Sequence, residues 1–236
     1  MCTVTFVNSD NKIIISSNRD EMVLRPTNPP DFYTINNKSI LFPKDKKAGG
    51  TWMAVTENNE IAVLLNGAQN KHVRKNYYRR SRGLILLDII AADFPLNYWR
   101  DINLSDIEPF TIIYYAKEIL FKLLWDGTQK SQQELNYDDA HIWSSSTLYS
   151  PAIIKIRESW FDTFINKNKM LKPKQLLDFH LNTEQANREN GLMINRGEVL
   201  QTVSTTQIIL DSDAAEMIYC DHLTQNHYQN SFTVNT

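Results

Sequence analysis

The hydrophobic and polar positions of this chain alternate over short stretches that end at polar turns. The first two stretches, residues 3–7 and 12–16, are rich in Val, Ile, Thr and Phe, which are favoured in strands. They flank Asn8-Ser9-Asp10-Asn11, a composition typical of a tight turn. The pattern predicts a β-hairpin in which residue 7 faces residue 12, so that Cys2 faces Ser17 at the open end.

A second hairpin is predicted at residues 51–66. Its strands flank Glu57-Asn58-Asn59-Glu60, and asparagine at both central positions suits a type I′ turn. In that register residue 56 faces residue 61, and Thr51 faces Asn66. Both strands are apolar on both faces, which predicts that the sheet is buried between two layers and has no solvent-exposed face.

The rest of the pattern predicts a mixture of helices and strands. Helical spacing of apolar residues occurs at 83–94, at 151–166 with Pro151 at its start, and at 174–181. Further strands are predicted at 110–115, 119–125, 140–144, 199–210 and 214–220. The intervening polar segments are expected to be irregular: 22–48 with one short strand near 39–42, 129–139, 183–191, and a polar tail from about 225 that frays.

This order of elements predicts one α+β domain over residues 1–236, with antiparallel sheets and helices on their outer faces. The net charge of −2 argues against a general nucleic-acid-binding surface. Two cysteines make no disulfide framework and suit a reducing compartment. Neither a signal peptide nor an apolar run long enough to span a bilayer is visible, so a soluble, cytoplasmic protein is expected. No pattern specifies an oligomeric state.

The familiar cofactor and metal motifs do not occur. The five histidines form no pattern with ligand spacing, and the seven glycines form no phosphate-binding loop, so we expect neither a metal nor a cofactor. A basic stretch at 71–82 fits either a phosphate or nucleic-acid site or a solvated loop before a helix. The overall acidity favours the loop, and Lys44-Asp45-Lys46-Lys47 is likewise interpreted as a solvated tip.

The most distinctive chemistry lies at the N-terminus. If Met1 is removed, Cys2 carries a thiol and a free α-amine, so one residue can supply both nucleophile and general base. Arg19 would favour the thiolate, and Asp20 or Glu21 could orient the ammonium group. Asn66 could donate to a developing oxyanion. The competing interpretation is a core cysteine beside a turn with surface ion pairs.

A set of short motifs resembles the NRDE family, also called the transport-and-Golgi-organisation-2 family. The motifs are Met1-Cys2-Thr3, Ser17-Asn18-Arg19-Asp20-Glu21, Arg25-Pro26, Gly49-Gly50-Thr51-Trp52-Met53-Ala54, Leu65-Asn66-Gly67 and Ser81-Arg82-Gly83. The resemblance is strong over residues 1–90 and looser from Ser144 to Trp160. It implies an N-terminal-nucleophile hydrolase-like fold, an αββα sandwich of two stacked antiparallel sheets between helical layers. It also implies kinship with cysteine enzymes that cleave linear amides.

Carried over by position, the resemblance implies that Cys2 is the nucleophile, with Arg19, Asp20 and Asn66 around it. Those amidases have two residues between the Arg and the Asp, whereas Arg19 and Asp20 are adjacent, so Glu21 rivals Asp20 as the acidic partner. Ser146 stands where the family tends to have Asn.

Two functions are therefore expected. The first is a hydrolase that cleaves a linear amide or thioester of a small acyl substrate through an acyl-enzyme. The second is a non-catalytic carrier of a hydrophobic ligand, such as haem or an acyl lipid, in the same cleft. The second rests on the family association and on the aromatic and basic residues at 72–82.

Overall fold

The computed structural model describes residues 2–168, 170–212 and 214–233. Two antiparallel β-sheets of seven strands each are stacked face to face, with helices on their outer faces, as predicted. A large hydrophobic core fills the space between the sheets. A smaller cluster lies between the first sheet and its helices.

The first sheet has the strand order β10-β1-β2-β12-β13-β14, and β11 pairs with β12. Its strands are β1 (Cys2–Ser9), β2 (Lys12–Met22), β10 (His141–Ser144), β11 (Asn195–Arg196), β12 (Leu200–Leu210), β13 (Ala214–Asp221) and β14 (Asn226–Thr233). The predicted register of the first hairpin is wrong by two residues. Asp10 and Asn11 both have positive φ (55° and 57°) and form a two-residue turn, so Ser9 faces Lys12. Cys2 consequently faces Arg19 instead of Ser17.

The second sheet has the order β3-β4-β5-β6-β7-β8-β9. Its strands are β3 (Thr27–Ile35), β4 (Lys38–Asp45), β5 (Met53–Thr56), β6 (Ile61–Asn66), β7 (Phe110–Ala116), β8 (Ile119–Trp125) and β9 (Lys130–Leu135). The predicted hairpin of β5 and β6 is confirmed with a register one residue away. Val55 faces Ile61 because the loop closes through the N–H of Thr56 on the carbonyl of Glu60, with Asn59 at φ 61°. Every residue of β5 is buried, as its apolar pattern predicts.

Three strands lie where irregular chain is predicted. They are β3 within 22–48, β9 within 129–139, and β14 in place of a frayed tail from about 225. Each is an edge strand, so much of its surface is exposed to solvent. Its sequence therefore shows no alternation of apolar and polar residues. Pro29 and Pro30 are tolerated in β3 because that edge strand carries an irregularity between Asn28 and Asp31. The short strand predicted near 39–42 is confirmed as β4, which is longer than predicted.

Four helices of the described ranges cover the sheets. The helices α1 (Arg82–Ile90) and α2 (Pro95–Asp101) belong to the second sheet, and α3 (Pro151–Lys167) and α4 (Pro173–Asn182) to the first. Helix α3 begins at Pro151 as predicted, and the hydroxyl of Ser150 caps it. Helix α1 ends at Ile90, earlier than predicted. Among the described residues no helix is both long and apolar enough to cross a membrane.

The two faces of the first sheet have different roles. Cys2, Val4 and Phe6 on β1 belong to the core between the sheets. Val7 and Ile14 belong to the cluster beneath the helices. Since side chains alternate along a strand, neighbours at the end of β2 are directed to opposite layers.

Candidate active site

Cys2 and Arg19 are the last pair of the β1–β2 ladder. The Cys2 side chain is buried, at 1% exposure. The guanidinium of Arg19 lies 4.4 Å from the ring centre of Trp52, and its Nη2 donates to Asp45 Oδ2 at 2.9 Å. The structure thus brings the predicted nucleophile and the predicted guanidinium together in the space between the two sheets.

Asp45 corrects the interpretation of residues 44–47 as a solvated tip. It is buried, and its carboxylate also accepts from Arg25 Nε at 2.6 Å. The other oxygen accepts from the backbone N–H groups of Lys47 and Ala48, which follow it. Asp45 therefore holds two guanidinium groups beside the site and fixes the loop after β4. Asp45 lies in a run of lysines, a pattern typical of a solvated loop, so the sequence did not indicate this role.

Asp20 is fully buried on the opposite face of β2 from Arg19. The hydroxyl of Tyr149 donates to Oδ2 and that of Thr202 donates to Oδ1, both at 2.6 Å. In the antiparallel register Asp20 lies one residue beyond the Cys2–Arg19 pair, on the side of the Cys2 nitrogen. Burial raises the pKa of Asp20 above its usual value, although the charge of Arg157 and the two hydroxyl donors oppose this.

Glu21 has a different environment. Its Oε1 accepts from the backbone N–H of Met22 at 2.9 Å, and its Oε2 accepts from Arg25 Nη1 at 3.3 Å. Arg19 Nη2 lies 4.0 Å from the same oxygen. Glu21 is therefore engaged by cations on the inner face, whereas Asp20 is held by hydroxyls in the layer beneath helix α3.

Asn66 ends β6, and its backbone is tied to the nucleophile through Ser145. The N–H of Ser145 donates to the carbonyl of Cys2 at 3.0 Å, and its hydroxyl donates to the carbonyl of Asn66 at 2.6 Å. Within the described ranges no hydrogen bond uses the side-chain amide of Asn66. Ser146, where the family resemblance predicts Asn, donates to the carbonyl of Ala68 at 2.8 Å.

A cleft of about 590 Å³ opens between the ends of the sheets and the segment before α1. Arg19, Glu21 and Asn66 line it, and the buried Cys2 does not. Among the residues that the structure describes, six cationic side chains line it: Arg19, Arg25, Arg74, Lys75, Arg80 and Arg82. Three carboxylates face them: Glu21, Asp45 and Glu108. The stretch 71–82 is a loop leading into α1, as predicted, and its part from Arg74 onward also forms a wall of the cleft.

The surroundings of the Cys2 thiol disfavour its thiolate form. Burial raises its pKa above the usual value, and the negative charge of Asp20 adds to the effect. A hydrogen bond with Ser17 and the charge of Arg19 act in the opposite direction. A nucleophilic Cys2 therefore needs a base within reach to accept its proton. Among the described residues no cluster of three or more His, Cys, Asp or Glu side chains could hold a metal ion.

Several residues at the site have no recognisable signal in the sequence. Tyr149 carries no recognisable motif, and Arg157 lies on an amphipathic helix. Yet the guanidinium of Arg157 lies 3.5 Å from the centre of the Tyr149 ring and also bonds the hydroxyl of Thr3. Both side chains are buried. A buried arginine is unusual enough to indicate a special role, but burial cannot be recognised from a single sequence.

The fold is similar to that of two hydrolases of known structure. The mutant C2A conjugated bile acid hydrolase from Clostridium perfringens matches with a TM-score of 0.62 and 11% identity, over 100% of this chain and 93% of that chain. An N-acylethanolamine-hydrolyzing acid amidase ortholog from Caenorhabditis elegans matches with a TM-score of 0.61 and 13% identity, over 88% and 92% of the two chains. The predicted αββα fold of N-terminal-nucleophile hydrolases is therefore confirmed.

Sequence relatives include the transport and Golgi organization protein 2 homologs of Bos taurus and Homo sapiens. The bovine protein is 30% identical over 95 residues, 39% of this chain and 33% of that protein. The human protein is 28% identical over 97 residues, 40% and 34% of the two chains. The matches thus span about a third of the relatives' length. The sequence pattern of the family described as Transport and Golgi organisation 2 matches residues 1–230, so the chain belongs to that family.

Proposed function

We propose that this protein is a hydrolase that cleaves a linear amide or thioester of a small acyl substrate, with Cys2 as an N-terminal nucleophile. The observation that carries the proposal is the direct pairing of Cys2 with Arg19, with Asp20 as the next residue along β2. The two structural neighbours are named as a hydrolase and an amidase, which supports this reaction class on the shared fold.

The mechanism begins when Met1 is removed and the α-amine of Cys2 becomes free. The amine takes the thiol proton, and the sulfur attacks the carbonyl carbon of the substrate. The side-chain amide of Asn66 donates to the oxyanion that forms. The intermediate then collapses: the carbon–nitrogen or carbon–sulfur bond breaks, and the ammonium group returns its proton to the leaving group. Water attacks the resulting thioester, gives its proton to the amine, and releases the carboxylic acid and the thiol.

Each neighbouring side chain has a distinct part in this mechanism. Arg19 lowers the cost of the thiolate by its charge, while Asp45 fixes the guanidinium. Asp20, held by Tyr149 and Thr202, accepts from the Cys2 ammonium and orients it. Glu21 has no chemical role in this mechanism and forms part of the inner wall of the cleft.

The carrier alternative receives less support from the cleft. A site for haem or an acyl chain is lined mainly by apolar side chains. Six cations and three carboxylates line this cleft instead. A carrier function in the same cleft therefore stays a prediction from the family resemblance.

The decisive experiment is acylation by an uncharged activated ester, followed by mapping of the modified residue by mass spectrometry. We expect the intact protein to lack Met1 and the acyl group to lie on Cys2. The Cys220→Ala variant, which removes the second buried thiol, should be acylated like the wild type, and Cys2→Ala should not. Retention of Met1, or acylation of Cys220, would exclude the proposed mechanism.

A further inference from the structure

The cleft is lined by more cationic side chains than carboxylates. Some of these cations are paired with a carboxylate and others are not. Arg19 and Arg25 share Asp45, and Arg82 pairs with Glu108 at 3.0 Å. These pairs account for the cations on the inner wall.

The outer cations are less neutralised. Arg80 pairs with Asp88, outside the cleft lining, at 2.7 Å. Lys75 lies 3.8 Å from Asp106, and both side chains are 64% exposed, so this pair contributes little. Arg74 has no ion-pair or hydrogen-bond partner in the ranges that the structure describes. Arg74 and Lys75 therefore present positive charge to whatever occupies the cleft.

The N-terminus of helix α1 adds a second source of positive potential. Ser81, Arg82 and Gly83 all line the cleft, and Ser81 caps the helix by accepting from Leu84. No acceptor among the described residues is paired with the backbone N–H of Arg82 or Gly83. Free N–H groups and the helix dipole together make such a terminus attractive to anions.

Two glycines place this helix end in the wall. A Cβ atom on Gly50 would lie 2.4 Å from the carbonyl carbon of Gly83, and one on Gly83 would lie 2.6 Å from the carbonyl oxygen of Thr51. The two backbones therefore touch without side chains between them. Thr51 donates its N–H to the carbonyl of Gly83 at 3.4 Å across this contact. The close approach puts the amides of α1 at the same cleft as Arg74 and Lys75.

The pKa of Arg82 is consistent with an unneutralised cleft. Burial lowers it, and the charges of Arg74 and Arg25 lower it further, against the opposing effect of Glu108. A guanidinium whose protonation is disfavoured by neighbouring cations gains from an added anion.

We infer that the cleft binds a phosphate-type oxyanion through Arg74, Lys75 and the N-terminus of α1, and that this group is part of the substrate that Cys2 attacks. The inference rests on the proposed function for the link to Cys2. A dianion suits this site better than a carboxylate because the lining holds three more cations than carboxylates. Arginine and backbone amides are the donors that bind phosphate oxygens in several directions at once. The anionic group would hold the substrate while its acyl carbon reaches the inner wall.

The test is calorimetric titration of the full chain with pyrophosphate and, separately, with acetate. We expect pyrophosphate to bind in a salt-dependent manner and acetate to bind more weakly. The Arg74→Ala variant should lose about tenfold in pyrophosphate affinity, the effect of one charged hydrogen bond. Lys71→Ala, an exposed cation on the same segment that does not line the cleft, is the matched control and should bind like the wild type.

Three outcomes would overturn the inference: no binding of pyrophosphate, tighter binding of acetate, or equal losses in the two variants. Acylation of Cys2 by the uncharged ester is measured on the wild-type protein alongside the titration. That arm separates the two proposals. Normal acylation without pyrophosphate binding removes only the anion site, whereas pyrophosphate binding without acylation removes the hydrolase and leaves the anion site standing.

Discussion

Asp20 accepts a 2.6 Å hydrogen bond from the hydroxyl of Tyr149, a residue 129 positions away in the chain. Tyr149 lies under the guanidinium of Arg157, and Thr202 bonds the second oxygen of Asp20. The carboxylate is thus fixed from two sides, one residue beyond the Cys2–Arg19 pair. Glu21 instead bonds Arg25 and the backbone N–H of Met22. The two acids that the sequence could not distinguish have different surroundings.

This difference predicts different outcomes for two matched substitutions. Asp20→Asn should lower the rate of Cys2 acylation by about 100-fold, because an amide cannot hold the ammonium and loses at least one buried hydrogen bond. Glu21→Gln should lower it by less than about threefold, since a glutamine oxygen still accepts from Met22. Acylation reactions quenched at a series of times and analysed by mass spectrometry measure both rates. A larger loss in Glu21→Gln would assign the acidic role to Glu21.

The buried cluster of Arg19, Arg25 and Asp45 predicts a large effect on stability. Asp45→Asn removes the charge that neutralises two guanidinium groups, one of them almost fully buried. Removing one partner of a buried pair costs about 3–5 kcal/mol in the free energy of unfolding. Urea denaturation measures it. Asp139→Asn makes the same change at an exposed carboxylate in a turn and should cost under about 0.5 kcal/mol. Equal midpoints for the two variants would contradict the role given to Asp45.

The strands that form the middle of each sheet were predictable because both of their faces are buried. The runs in β5 and β6 are apolar at almost every position, and burial of both faces requires that. The strand β9 is mostly exposed and polar, so nothing in its sequence separates it from a loop. Registers depended on which residues close the turn. The prediction centred the first turn on residues 8–11, whereas Asp10 and Asn11 alone form it.

The residues of the candidate site were likewise predictable only in part. Cys2 and Asn66 lie at strand ends, and Arg19 is two residues from the predicted partner of Cys2, so hairpin pairing together with the family resemblance predicts that the three lie near one another. Asp45 and Tyr149 reach the site through contacts between layers, and no local pattern encodes such contacts. A buried polar residue looks like a surface residue in a single sequence until its partners are known.

The contact between Gly50 and Gly83 predicts non-additive substitutions. Alanine at either position forces the same two backbone segments apart, so each single variant already removes most of their contact. The double variant should be more stable than the sum of the single losses predicts, by about 1 kcal/mol or more. Thermal or urea unfolding of the four proteins gives this coupling energy.

The control for that cycle is Gly197, which belongs to another loop. Its positive φ of 61° makes alanine costly by about 1–2 kcal/mol, but no atom lies within 4 Å of its Cβ position. Gly50→Ala combined with Gly197→Ala should therefore be additive within about 0.5 kcal/mol. Additivity in the Gly50–Gly83 pair as well would show that the two glycines do not share one contact.

His180 predicts how stability depends on pH. It is fully buried, its Nε2 is 2.7 Å from the hydroxyl of Thr5, and burial together with the charge of Arg157 lowers its pKa to about 3. In the unfolded chain the pKa is about 6.5, so below that pH the unfolded state takes up a proton that the folded state refuses. The free energy of unfolding contributed by His180 is complete above pH 6.5 and decreases as the pH falls through this window. Between pH 6.5 and 5 the loss is about 2 kcal/mol.

The substitution His180→Gln should reduce this acid sensitivity, because glutamine can keep the bond to Thr5 and does not titrate. Urea midpoints at pH 7 and 5 measure the slope, so a uniform loss of stability in the variant does not affect the result. Some slope should persist, since burial also lowers the pKa of His222, to about 4. If His180→Gln keeps the wild-type slope, His180 is protonated in the folded protein, and the polar layer beneath α3 must rearrange in acid to accept the charge beside Arg157.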